Sequence, residues 1–95
     1  MDNQHRQIKG YRELSQADID LMNKVKEQGK TLQALITEIR ITMAMRAEEA
    51  AKARDSAEIA RLHDSDWRRW AAMAQTDFQT GLMKLTRAVA QPETF

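Results

Sequence analysis

From Thr31 to Leu62 this chain runs without a glycine or a proline, and Ala44, Ala47, Ala50, Ala51, Ala53, Ala57 and Ala60 recur through it. Alanine loses no side-chain freedom in a helix, and the residues that would end one are missing, so the stretch reads as one uninterrupted helix. At 1.5 Å per residue it would be about 48 Å long. Glu48 and Lys52 stand four apart, with the acid first, the favourable order for a pair on a helix face. Only three glycines and one proline punctuate all 95 residues, and no run alternates apolar and polar residues at period two. The pattern predicts an all-α chain.

Signals on either side divide the rest. Ser15 followed by Asp18 has the spacing of an acidic capping box, with Asp18 and Asp20 suited to the positive end of a helix. Ile19, Met22, Val25, Leu32, Leu35/Ile36, Ile39 and Met43 then follow the 3–4 spacing of a single buried stripe. Gly29 interrupts that run and predicts a bend or short break. His63-Asp64-Ser65 predicts another, with Asp64 or Ser65 capping a last helix. On that helix Trp70, Met73/Ala74, Phe78, Leu82, Leu85 and Val89 form the expected core stripe, Trp67 falls off it, and Pro92 lies just past the end.

The expectation is therefore one domain over 1–95: an arm at 1–14 and helices at about 15–28, 31–62 and 66–90. In three dimensions this is a short N-terminal helix followed by a two-helix antiparallel hairpin. Helices of this length cannot bury their stripes fully on each other, since a compact chain of this size has a radius of gyration of about 12–13 Å. Assembly into a homo-oligomer answers that difficulty.

Composition removes several functions. A net charge of +1 with 31% charged residues is not the large basic excess of a general DNA binder. There is no cysteine, hence no disulfide, thiolate chemistry or Cys-based zinc site, which fits a reducing cytosol. The polar N-terminus does not read as a signal peptide, and no apolar run approaches the ~20 residues that span a bilayer. A soluble intracellular protein with no membrane partner is expected.

Residues 5–14, His5-Arg6-Gln7-Ile8-Lys9-Gly10-Tyr11-Arg12-Glu13-Leu14, are unlike a bland flexible arm. Lys and Arg bind phosphate oxygens through charge-assisted hydrogen bonds, and a tyrosine ring stacks on a nucleobase. Gly10 allows backbone to come close to a ligand. Together these suit a small ligand carrying both phosphates and bases. The plainer reading makes Tyr11 a hydrophobic staple on the following helix.

Continued through Ser15-Gln16-Ala17-Asp18-Ile19-Asp20-Leu21-Met22-Asn23-Lys24-Val25-Lys26-Glu27-Gln28-Gly29, this block resembles the start of a family of small tailed-phage proteins, the anti-CBASS sponges. That family counters cyclic-oligonucleotide-based antiphage signalling. Trp70, Thr76-Asp77-Phe78-Gln79-Thr80-Gly81-Leu82-Met83 and Arg87-Ala88-Val89-Ala90-Gln91-Pro92 resemble its closing helix. The resemblance implies capture of cyclic dinucleotides such as cyclic GMP–AMP, and of cyclic trinucleotides at a separate site, without cleavage. It further implies a homohexamer acting in the cytoplasm of the infected bacterial host. It assigns the dinucleotide to Tyr11, stacked on a base, and Lys26, on a phosphate, with Arg12 and Lys9 as helpers; otherwise Lys26 is simply solvated.

Trp67, Arg68 and Arg69 are the candidates for the second site, since guanidinium and indole faces suit bases and phosphates. Asp64 and Asp66 stand at i,i+4 and i,i+3 from Arg68 and Arg69, so surface pairing explains the same arginines without a ligand. His63 with Asp64 and Asp66 is a weak metal pattern, better read as a histidine at a helix end. No Ser-His-acid, paired-carboxylate or phosphate-loop pattern stands out, so neither an enzyme nor a cofactor is expected. The alternative to a sponge is a helical phage adaptor or structural protein whose apolar stripes bind another chain.

Overall fold

A computed structural model describes residues 13–93. They form three helices, α1 (Gln16–Lys52), α2 (Ser56–Ser65) and α3 (Trp67–Ala90), with no strand among the described residues. The all-helical expectation holds. So does the capping box: the Asp18 N–H donates to Ser15 Oγ at 3.1 Å, and the Ser15 N–H donates to Asp18 Oδ2 at 3.0 Å. Each partner satisfies a donor that the first turn would otherwise leave bare. The Glu48–Lys52 pair forms at 3.2 Å on the exposed side.

The helix boundaries differ from the sequence expectation in three places. Gly29 does not break the chain; α1 passes straight through it. A Cβ at Gly29 would stand 3.3 Å from Leu82 Cδ1, tighter than ordinary van der Waals contact. The glycine therefore admits Leu82 to the α1 backbone, a packing use that offsets its ~1 kcal/mol propensity deficit.

The second correction lies inside the alanine-rich stretch. The predicted 31–62 helix ends at Lys52 and restarts at Ser56. Arg54 takes a left-handed φ of 53°, its N–H donates to Ala51 O at 3.2 Å, and the Asp55 N–H donates to Ala50 O at 3.0 Å. These are the two bonds of a Schellman stop. Asp55 then caps α2 by accepting the Glu58 N–H at 3.1 Å. The break expected at His63-Asp64-Ser65 contracts to one residue, Asp66, at φ 56° with its N–H on His63 O at 3.2 Å. Aspartate tolerates this left-handed conformation better than most residues. Neither Asp64 nor Ser65 caps the next helix; the Ser65 hydroxyl donates back to Leu62 O at 2.6 Å. Gln91, at φ 48°, ends α3 just before Pro92.

The chain divides into two compact units. One combines the described parts of Met1–Lys30 and Gln79–Phe95; the other is Thr31–Phe78. In each, a length of α1 lies against a length of α3, as in a helical hairpin: through Gly29 and Leu82 in the first, and in the second through Arg40, whose Nη2 donates to Gln75 Oε1 at 3.1 Å. Ile36, Ala50, Leu62 and Ala90 are buried. Ile19, Met22, Val25, Leu32, Met43, Leu82 and Val89 are half-buried, as the stripes predict. Leu35, Ile39, Trp70, Phe78 and Leu85, also assigned to those stripes, are exposed. A facing helix covers only a narrow seam, and the rest of a broad apolar stripe stays outside it.

Candidate functional site

Lys26 stands on the exposed side of α1, and among the described residues it makes no ion pair. Its neighbours Glu27 and Lys30 approach each other at 3.7 Å. An unpaired ammonium on a rigid helix is free to meet a phosphate. Tyr11, Arg12 and Lys9 lie outside the described residues, so the first candidate site is represented by Lys26 alone.

The second cluster lies in the Thr31–Phe78 unit. The one-residue turn at Asp66 brings the end of α2 against the first turn of α3. Leu62, His63, Asp64, Asp66, Trp67 and Arg68 line an open cavity of about 440 Å³ there. A smaller neighbouring hollow, about 230 Å³, adds Ala47, Ala51 and Ile59. Their alanines leave room for the half-buried Trp67 ring. Trp70, expected in the core, is 57% exposed. Trp70 thus stays outside the core that spacing predicts for it, while the Trp67 side of α3 meets Ala47 and Ala51 of α1 and the end of α2.

The two arginines also part ways. The Arg69 Nε donates to Asp66 Oδ2 at 2.6 Å, and its guanidinium lies 5.1 Å from the Trp70 ring centre. Arg68 stacks over Trp67 at 4.3 Å and makes no ion pair among the described residues. Salt pairing therefore accounts for Arg69 and not for Arg68. Asp64 meets His63 rather than Arg68, Oδ1 to Nδ1 at 3.4 Å, with both side chains exposed. Among the described residues no three His, Asp or Glu side chains gather as metal ligands, and no helix is long and apolar enough to cross a membrane. His63 and Asp64 were legible only as a helix end; the left-handed turn at Asp66 is what makes them cavity walls.

A rigid indole carrying a free guanidinium can stack on a base and hold a phosphate together. The family model of the Acb2/Tad1 hairpin domain matches residues 3–90. The chain belongs to the Acb2/Tad1 hairpin-domain family. One relative, named "Anti-CBASS protein 2", from Pseudomonas phage JBD67, is 47% identical, with 98% of each chain covered. The Acb2/Tad1 match takes in Lys9, Tyr11, Arg12 and Lys26 as well as Trp67 to Arg69. Both candidate sites therefore fall inside the part of the chain that the family shares.

Proposed function

We propose that this protein blocks CBASS immunity by sequestering cyclic oligonucleotide messengers, uncleaved, in the cytoplasm of the infected bacterial host. The observation that carries the reading is the likeness to an anti-CBASS protein over nearly the full chain. Binding alone is enough to silence a messenger, provided sites outnumber it and hold it more tightly than its receptor does. Tyr11 and Lys26, helped by Arg12 and Lys9, hold a cyclic dinucleotide such as cyclic GMP–AMP. Trp67 and Arg68 are the core of a separate cyclic-trinucleotide site, with Arg69 held back by Asp66. The chain acts as a homo-oligomer, a hexamer by family resemblance, so that cations from several copies surround a small, densely charged ring. The exposed Leu35, Ile39, Trp70 and Phe78 support assembly, since large apolar side chains left outside a narrow seam call for cover.

The test is recovery. Purified protein is mixed with cyclic GMP–AMP below its site concentration, freed of unbound nucleotide and heated, and the supernatant is chromatographed. Intact cyclic dinucleotide is the expected result. Linear or hydrolysed product would replace the sponge with an enzyme, and an empty supernatant would remove the ligand.

The second site makes its own prediction. Arg68→Ala should weaken cyclic-trinucleotide binding about tenfold or more, as befits the loss of a charge-assisted hydrogen bond. Arg69→Ala should change it much less, because Asp66 already engages that guanidinium. Calorimetry of both variants with cyclic triadenylate checks this; equal losses would mean that Asp66 does not hold Arg69 in solution.

A further inference from the structure

By the rules of its own helix, Asp64 is out of place. It stands in the last turn of α2, where unpaired carbonyls make the helix end negative and a carboxylate unfavourable. It does not serve α3, whose first carbonyl acceptor is Asp66. Arg68 follows four residues later, in the acid-first order that favours an ion pair, but its guanidinium lies over Trp67 instead. The Asp66 charge is met by Arg69 at 2.6 Å. The Asp64 charge meets no lysine or arginine among the described residues. Its Oδ1 lies 3.4 Å from His63 Nδ1, and its Oδ2 accepts no hydrogen bond among them.

Asp64 and Arg68 nevertheless share a cavity, the open one of about 440 Å³ that Trp67 also lines, and all three belong to the Thr31–Phe78 unit. The cavity thus offers an indole face, a guanidinium fork and a carboxylate, with no ion pair between the last two. A nucleotide matches that set group for group. The base stacks on the indole, the phosphate takes the fork, and the carboxylate is left for a donor. An ionised carboxylate only accepts hydrogen bonds, so it repels phosphate and suits an amino group on the base edge. Adenine N6, cytosine N4 and guanine N2 supply such donors, whereas uracil shows O4, an acceptor. We propose that Asp64 reads the edge of a base stacked on Trp67, and selects rings of amino-bearing bases against rings of uracil.

Base reading by Asp64 rests on the cyclic-trinucleotide site proposed for Trp67 and Arg68, and adds a selectivity to it. Calorimetry with cyclic triadenylate and cyclic triuridylate tests it on wild type, Asp64→Ala, Asp64→Asn and Arg68→Ala. Wild type should prefer the adenine ring about tenfold or more, and Asp64→Ala should weaken that ring by a similar factor, as befits a hydrogen bond to a charged group. The same variant should tighten cyclic triuridylate, because there it removes a repulsion. A purely structural role would move both rings the same way. Asp64→Asn, whose amide both donates and accepts, should leave an intermediate preference. Asp64 is 81% exposed and opposes its helix end, so neither variant at this position should lower the melting midpoint. Arg68→Ala with wild-type affinity for both rings would overturn the site and the base reading together. If Arg68→Ala does weaken binding, base reading alone falls when wild type shows no preference, or when Asp64→Ala leaves both rings unchanged or shifts them alike.

Discussion

Tyr11→Ala and Lys26→Ala should each raise the dissociation constant for cyclic GMP–AMP about tenfold or more, with helicity and assembled mass unchanged. Loss of a base stack costs about 1–3 kcal/mol. Loss of a hydrogen bond to a charged group costs about 1.5–3 kcal/mol. Every 1.4 kcal/mol is a factor of ten in affinity. Lys26 is exposed on α1 and makes no ion pair among the described residues, so truncating it leaves no buried charge behind and should not disturb folding. Lys26→Arg is an informative companion, because a planar guanidinium is not an ammonium point charge and should only partly restore binding. Calorimetry that gives both alanine variants wild-type affinity would remove these residues from the site. In the two-site arrangement, Tyr11→Ala should leave cyclic-trinucleotide binding intact, since separate sites with no shared partner behave independently.

The helical class was legible because propensity and periodicity point the same way along nearly the whole chain. The boundaries were less so, for local reasons. At Gly29 propensity argued for a break, while the deciding fact, Leu82 pressing on the α1 backbone, lies 53 residues away in sequence. At Arg54 the reverse happened. Asp55 and Glu58 have capping spacing of their own, but the alanines on either side drown that signal. The left-handed Arg54 carries no sequence mark, since glycine is the usual residue at such a stop. The tryptophans mislead for another reason: a stripe read at 3.6 residues per turn gives a face, not which edge of it the neighbour covers. The Arg68–Arg69 ambiguity was likewise beyond the sequence, as both have an aspartate at helical spacing and only Arg69 receives one. Lys26 is a candidate through family resemblance alone, for a solvated lysine and a ligand lysine look the same in one sequence.

Ile36→Ala should be among the most damaging single changes in the described chain. Ile36 is 5% exposed, near the start of the α1 length that belongs to the Thr31–Phe78 unit. Truncating a buried isoleucine to alanine costs about 2–5 kcal/mol, part lost transfer energy and part cavity. For a chain of this size each kcal/mol moves the thermal midpoint by about 4–8 °C, so a fall of at least ~10 °C is expected. Among the described residues few other buried side chains share the load in that unit, because Ala50 contributes no more than a methyl group and Leu62 is the remaining large one. Ile39→Ala provides the contrast. Ile39 is 42% exposed, so within one protomer its loss should cost much less. If a second copy covers it, the destabilisation should appear in the concentration dependence of melting, by mass action, rather than in the folding of the unit. Melting curves of both variants at low and high protein concentration distinguish the cases. An Ile36→Ala midpoint within a degree or two of wild type would mean that the buried seam is not what holds this unit together.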